Sequence, residues 1–277
     1  MTENYSMRLS ARRSYISELS ETKRDFIGSL AKFQLSFSLA MHDVTAKYRG
    51  SILGPWWITL TMGALILGIG FNYAGIFHTS PKELLPYVAV GIVMWNFISG
   101  CISDGGESFI VGGAMLRQTA LPLPLFVMRS FIRNLVNLGH HIIIVVLVLF
   151  YIGHFPGVGL AWALLGFALT CLNLMWIMLL VAFLATRFRD VPQIITAVLQ
   201  IMLFLSPIFW RVNDATATSP FVKYNPVYYS IESIRQPVLD GAAPISFYGG
   251  LALAALIGWI VALASYNQTR RRVIHYL

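Results

Sequence analysis

KYRGSILGPWW, residues Lys47–Trp57, carries the chain from a polar, basic stretch into an apolar one in a single short step. Tyr48, Arg49, Gly50 and Ser51 lead into Leu53, Gly54, Pro55, Trp56 and Trp57, and an apolar run follows at once. A guanidinium such as Arg49 suits lipid phosphate, and indole rings such as Trp56 and Trp57 suit the headgroup layer of a bilayer. Gly54 and Pro55 permit a sharp change of chain direction. The block therefore predicts the start of a membrane span, with a generic basic-aromatic anchor as the plainer reading. The remaining segments decide between them.

The composition points the same way. The chain has 277 residues, 57% of them hydrophobic and only 12% charged, and a mean hydropathy of +0.68. A soluble domain carries roughly a quarter charged residues. The formal net charge of +8 fits basic cytoplasmic loops rather than nucleic-acid binding. Cys101 and Cys171 both fall in apolar stretches, which reads as packing rather than a disulfide framework. The first forty or so residues are too polar for a secretory signal peptide, so the first span is expected to act as its own insertion signal.

A helix needs about 20 apolar residues to cross the hydrocarbon. Six stretches qualify: Trp57–Phe77, Leu85–Ser103, Leu125–Ile152, Leu160–Thr186, Ile194–Trp210 and Ile245–Tyr266. The third and fourth are long enough to tilt or project. The fifth is short and ends at Ser206-Pro207-Ile208-Phe209-Trp210, where Pro207 is expected to kink or break it. Of the 20 Lys and Arg residues, 16 fall on one side of this topology, leaving Lys82, Arg211, Lys223 and Arg235 on the other. The positive-inside rule then places both termini in the cytoplasm. The expected fold is all-α, a polytopic protein with six transmembrane helices. Residues 1–50 form a cytoplasmic amino-terminal segment and residues 51–277 a permease domain.

Within residues 1–50, Phe26, Leu30, Phe33, Phe37 and Met41 recur at helical spacing among Lys23, Arg24 and Lys32. This predicts an amphipathic helix lying in the membrane interface, or docking on a soluble partner through the same face. Residues before about Tyr15 show no such period and are expected to be poorly ordered. There is no clear internal repeat, which argues against secondary-transporter folds built on inverted repeats.

The chemistry a chain lacks restricts what it does. The five lysines precede Arg24, Phe33, Tyr48, Glu83 and Tyr224, never Ser or Thr, so no phosphate-binding G-x4-G-K-[ST] loop exists. If ATP drives this protein, the ATPase is another chain. The spans are nearly free of carboxylates, unlike proton-coupled transporters. His140 and His141 are adjacent, so on a helix they point about 100° apart and are poorly placed to share a metal. An interhelical hydrogen bond is the reading taken for them.

Two connections on the basic side stand out. The first runs from Asp104 to Gln118, with Glu107, Ser108, Phe109, Ile110, Met115, Leu116 and Arg117, and closes on the proline-rich Leu121–Pro124. Ser108 can cap a short helix there. The apolar residues beside Arg117 suit a groove on a partner, against the plainer reading of a surface connection. The second reads Phe188-Arg189-Asp190-Val191-Pro192. On the opposite side, the segment Arg211–Pro244 contains Ile231, Ile234, Val238 and Leu239 at helical spacing, interrupted at Pro237. Short amphipathic pieces of this kind are expected to dip back into the outer leaflet, where irregular backbone must face protein or water. Sugars bind aromatic faces and hydrogen-bonding edges together. Phe204, Phe209, Trp210, Tyr228 and Tyr229 supply such faces at this side, as do Trp56, Trp57, Phe71 and Tyr73 elsewhere, although aromatics at membrane borders are commonly belt residues.

These features together resemble a known family. The Lys47–Trp57 block, the Arg189-Asp190-Val191 turn leading to Ser206-Pro207-Ile208-Phe209, and Asn225-Pro226 with Tyr228, Tyr229, Ile234 and Arg235 occur in the order seen in type-2 ABC transporter permeases that export bacterial surface polysaccharides. The matching topology covers nearly the whole chain. The resemblance implies a non-catalytic channel-forming subunit of a homodimer in the inner membrane, moving lipid-linked O antigen, capsule or teichoic acid. It implies two copies of a separate ABC ATPase, with ATP and Mg on that partner and no cofactor on this chain. It further implies that the 104–118 stretch is the coupling helix, which puts Glu107, Phe109 and Arg117 against the ATPase, with a second contact from Arg189 and Asp190. Phe204, Phe209, Trp210, Tyr228 and Tyr229 are then expected to line the exit. Two rival functions fit parts of the sequence: an ABC exporter of a drug or small lipid, and a membrane-embedded glycosyl- or acyltransferase. The last needs a general base, for which the spans offer only His140 and His141.

Overall fold

Residues 15–76, 78–212 and 218–276 are described by a computed structural model. The expected disorder before Tyr15 lies outside the described residues. The described chain is helical throughout, in the order α1 (Tyr15–Ala31), α2 (Phe33–Lys47), α3 (Trp56–Ile76), α4 (Pro81–Val111), α5 (Gly113–Gln118), α6 (Pro124–Ile152), α7 (Gly159–Arg187), α8 (Val191–Leu205), α9 (Pro220–Lys223), α10 (Pro226–Asp240) and α11 (Ile245–Tyr276).

Among the described residues, five helices are long and apolar enough to cross a membrane: α3, α4 with its continuation α5, α6, α7 and α11. The chain is a multi-pass membrane protein. The sixth expected span is the shorter helix α8, with 15 residues. At 1.5 Å per residue such a helix covers roughly 22 Å, less than the ~30 Å hydrocarbon. It stops at Ser206, and bends run through Trp210, as expected of Pro207. Helix starts follow local chemistry. Ser80 accepts from the Lys82 amide at the head of α4, and Asn225 accepts from the Val227 and Tyr228 amides at the head of α10. Proline occupies the first turn of α4, α6, α8, α9 and α10.

Helix α4 is the axis of the fold. Its run Leu84–Trp95 is buried without a break, and it packs against α3, α6, α7, α8 and α10. The other spans keep an apolar flank outward. Examples are Phe71 on α3, Val146 and Phe150 on α6, Leu164 on α7, and Leu256 and Ile260 on α11. A helix apolar on all sides is stable with such a flank only in lipid or against another subunit.

The amino-terminal pattern forms two helices, not one, broken at Lys32. Several of their polar residues, Thr22, Asp25, Ser29, Ser36 and Asp43, face the bundle, as does Phe26, which packs on Trp259 and Tyr266. Asp43 of α2 binds Arg129 at 2.5 Å and Arg133 at 3.3 Å on α6, and Arg133 reaches Asp104 of α4 at 2.8 Å. On α1, Asp25 accepts from Tyr266 at 2.8 Å and from Arg270 at 3.1 Å, and Glu21 is held by Arg270 and Arg271. Ile27, Leu30, Phe33, Leu35 and Phe37 are left exposed. At the end of α2 the chain turns sharply through Gly50 (φ +82°) and Gly54 (φ +55°), both left-handed, with Ser51 accepting from the Gly54 amide at 3.2 Å. Tyr48, Arg49 and Ser51 thus sit on a tight turn, beside the exposed Ile52, Trp56 and Trp57.

Candidate functional site

The 104–118 stretch is helical rather than a loop. Helix α4 continues to Val111, and α5 follows after Gly112. Its glycines are places of close approach. A Cβ on Gly105 would lie 2.8 Å from the Met178 backbone of α7, and one on Gly106 would lie 3.1 Å from Ile195 of α8. The end of α4 therefore touches the helices on both sides of the Phe188–Asp190 turn. Ser108 does not cap a helix. It lies inside α4, where its hydroxyl donates to the Gly105 carbonyl at 2.8 Å.

Phe109 is fully buried, its ring 5.4 Å from that of Phe183. In this conformation it supports the surface from beneath and does not belong to it. The surface consists of Glu107, Ile110, Val111, Ala114, Arg117 and Gln118. Arg189 and Asp190 are exposed at the same end of the bundle.

At the opposite end, the bends after α8 are held by a polar cluster that the sequence reading did not single out. Tyr87 of α4 donates to the carbonyls of Pro207 at 3.3 Å and Trp210 at 3.0 Å. Arg235 of α10 lies 3.6 Å over the Tyr87 ring. It donates to Pro207 O at 2.8 Å and pairs with Glu232. Both members of this pair are buried, Arg235 with 1% of its surface exposed. Space for the guanidinium comes from Gly91, where a Cβ would sit 2.9 Å from Arg235 Nη1.

Helix α10 reaches this position through small residues on α7. Gly159, Ala163, Gly166 and Thr170 form one stripe, all buried. A Cβ on Gly159 would come within 3.0 Å of Gly241 Cα, and one on Gly166 within 2.8 Å of Ser233. Contact between backbones of this kind is how membrane helices pack closely.

The five expected exit aromatics do not share one set of neighbours. Phe204 is 72% exposed on α8. Phe209 packs against Tyr73 of α3 at 5.8 Å. Trp210 is half-buried. Tyr228 and Tyr229 pack on each other at 5.3 Å and on Phe247 at 6.1 and 5.1 Å, and the Tyr229 hydroxyl donates to Lys223 O at 2.7 Å.

The His140 ring nitrogen bonds within its own helix, while the hydrogen-bonded link between α3 and α6 comes from the Thr59 hydroxyl donating to the His140 carbonyl at 3.3 Å. The His140 Nδ1 contacts the Val136 carbonyl at 2.9 Å, and Trp56 meets the ring edge-on. No group of three or more metal-ligating side chains occurs among the described residues.

A helical bundle with apolar flanks, an exposed helical elbow at one end and a clamped break at the other is the architecture of a multi-pass membrane protein. Residues 34–239 match the model of the ABC-2 type transporter family, and the chain belongs to that family. Two proteins of Klebsiella pneumoniae, each described as an O-antigen export system permease protein RfbA, are 19% identical to it over 247 residues, 88% of this chain and 95% of theirs. A protein of the same description from Myxococcus xanthus is 24% identical over 255 residues, 86% of this chain and 92% of its own. Membership of the family implies an ABC ATPase partner.

Proposed function

We propose that this chain is the transmembrane subunit of an ATP-driven exporter that moves lipid-linked O antigen across the cytoplasmic membrane. The observation that carries this reading is the similarity, over nearly its whole length, to permeases described as O-antigen exporters. Both termini lie in the cytoplasm, two copies of the chain pair, and two ATPase subunits dock below them. Helices α1 and α2 lie in the cytoplasmic interface with Leu30, Phe33 and Phe37 toward lipid. Helices α9 and α10 sit in the outer leaflet.

This reading implies a mechanism. ATP-driven closure of the partners presses on Glu107, Arg117, Arg189 and Asp190, with Phe109 fixing the elbow from beneath. Helix α4 has 31 residues, a rod of roughly 46 Å. Its far end carries Tyr87 and Gly91, which hold the Pro207 bend and Arg235. Motion imposed at one end thus reaches the break in α8 through a single rigid element.

Helix α8 has no buried residue, so one copy of the chain does not enclose it. Gln193, Ala197, Gln200 and Phe204 fall on one of its faces by helical spacing, offering amides and an aromatic ring. A polymer that must slide is served by such weak contacts and not by a tight site. Ile194, Val198 and Ile201 form a second, apolar face suited to the other subunit.

The test is export of polysaccharide to the surface of cells carrying Phe204→Ala or Gln200→Ala at matched expression. Reduced surface polymer supports the path. Wild-type export from both variants removes α8 from it.

A further inference from the structure

Helical spacing sets two polar stripes against each other between α4 and α6. On α4, Asn96, Gly100 and Asp104 recur every fourth residue, and on α6 Arg133, Asn137 and His141 do the same. Residues at this spacing share one face of a helix. Both stripes line a cavity of about 440 Å³, walled elsewhere by the end of α2 and the start of α3. Its volume falls in the range of about 300–1,000 Å³ usual for small-molecule sites. Gly100 has no room for a side chain, since a Cβ there would run into Asn134 Oδ1.

The end of the cavity nearer the elbow is charged but balanced. Asp43 and Asp104 line it together with Lys47 and Arg133. Asp43 is held by Arg129 and Arg133, and Asp104 by Arg133 and by the Asn134 amide at 2.6 Å. The far end is uncharged and lies deep in the span: His141 is roughly 25 Å along α6 from Pro124. The Asn137 amide and the His141 ring have no hydrogen-bond partner among the described residues. Neither is sealed, for both line the cavity. Asn96 spends only its Nδ2, on the Ile92 carbonyl at 3.0 Å, and Thr61 and Tyr48 add hydroxyls to the lining. Polar groups inside a span are costly and mark functional sites. An anion entering here meets two carboxylates, and a cation meets Lys47 and Arg133. A hydrocarbon leaves the amides unpaired. A ring of hydroxyls fits, because amides and a neutral imidazole both donate and accept.

We infer that this cavity binds an uncharged sugar ring, with Asn96, Asn137 and His141 as its hydrogen-bonding partners. That the sugar belongs to the exported polymer rests on the export reading; that the cavity takes a sugar does not.

The test uses the purified full-length chain in lipid nanodiscs, titrated with oligosaccharide released from the cells' own surface O antigen by mild acid. Saturation-transfer NMR reads contact between the two. The wild type should bind, and Asn137→Leu and His141→Leu should each weaken binding on the order of tenfold, the loss of about one hydrogen bond to the ligand. Asn72→Leu on α3 is the control: it lies outside the cavity, and its amide bonds only the Gly68 carbonyl of its own helix. It should bind as the wild type does. Leucine within a span needs no polar partner, and a second measurement needs no such variant. A photoreactive benzoylphenylalanine at Thr61, which lines the cavity, should label the oligosaccharide, and one at Leu65, exposed on the same helix, should not. No binding at millimolar oligosaccharide, equal affinity in all the variants, or equal labelling from Thr61 and Leu65 overturns the site and leaves the cavity to water. Surface O antigen in cells lacking the chain is read separately, so the site and the export reading fail independently.

Discussion

Gly166→Ala tests how α10 is held. The added Cβ meets the carbonyl carbon and Oγ of Ser233 at 2.8 Å, and the Ser233 carbonyl oxygen closer still. Most of the obstacle is backbone, so no rotamer change relieves it and α10 itself must move. That movement also disturbs the bond from the Tyr248 hydroxyl to Ser233 O, 3.2 Å long, and displaces Arg235 two residues on. Overpacking costs about 1–3 kcal/mol, offset by the ~1 kcal/mol gained when alanine replaces glycine in a helix. The control is Gly68→Ala on α3, where a Cβ meets nothing within 4 Å and only the propensity gain applies. Subtracting one variant from the other cancels that gain and leaves the clash. At roughly 2–4 °C per kcal/mol, the two purified proteins should melt roughly 5 °C apart, Gly166→Ala lower. The assay is thermal melting of the full-length protein in detergent, with surface polysaccharide measured in parallel. Equal melting, or a higher melting point for Gly166→Ala, refutes the docking of α10 on the small-residue stripe.

The purified chain, free of ATPase subunits, should neither bind nor hydrolyse ATP, because no lysine precedes Ser or Thr; nucleotide binding by the isolated chain would count against a separate motor. Arg117→Ala and Phe109→Ala should separate contact from support. The first weakens stimulation of the partner ATPase, whereas the second removes a buried ring and costs about 3–5 kcal/mol of stability, read by melting. Glu21 gives a pH test: desolvation pushes its carboxyl up, but the hydrogen bonds and charges of Arg270 and Arg271 outweigh this, leaving its pKa below the ordinary value. Its contribution is therefore fully present above the unfolded carboxylate range and is lost as pH falls through the lower folded value. Hydrogen exchange of α1 should rise in that acid window, and Glu21→Gln should flatten the pH dependence.

Five of the six expected spans were legible because apolar runs of this length have no soluble alternative, and several of their starts carry the prolines and caps that helices use; the expected Ile194–Trp210 span is instead the shorter helix α8. The break after α8 followed from Pro207 alone. The 104–118 stretch was harder to read. Gly105, Gly106, Gly112 and Gly113 look like loop residues, but the first two allow α4 to approach Met178 and Ile195, and a Cβ on Gly112 would run into the Phe126 ring. A glycine chosen for contact and a glycine chosen for a turn look the same in one dimension. Phe109 and Ile110 are adjacent and equally apolar, and only the packing shows that one is buried and the other exposed. The Tyr87–Arg235–Glu232 cluster was missed for the complementary reason. Single charges in a connecting segment look solvated, and it is the fold that closes α4, α8 and α10 around them. The spacing of Glu232 and Arg235, three apart on an otherwise amphipathic helix, was the available signal.

The central claim is export of O antigen by this subunit together with a separate ATPase. The direct measurement is surface O antigen in cells lacking the gene for this chain, complemented with the wild type or with an empty vector, alongside the pool of lipid-linked polymer inside the membrane. Without the chain, surface O antigen should vanish while lipid-linked polymer accumulates on the cytoplasmic side, and complementation should reverse both. Unchanged surface O antigen in the deletion, with no internal accumulation, would contradict the account.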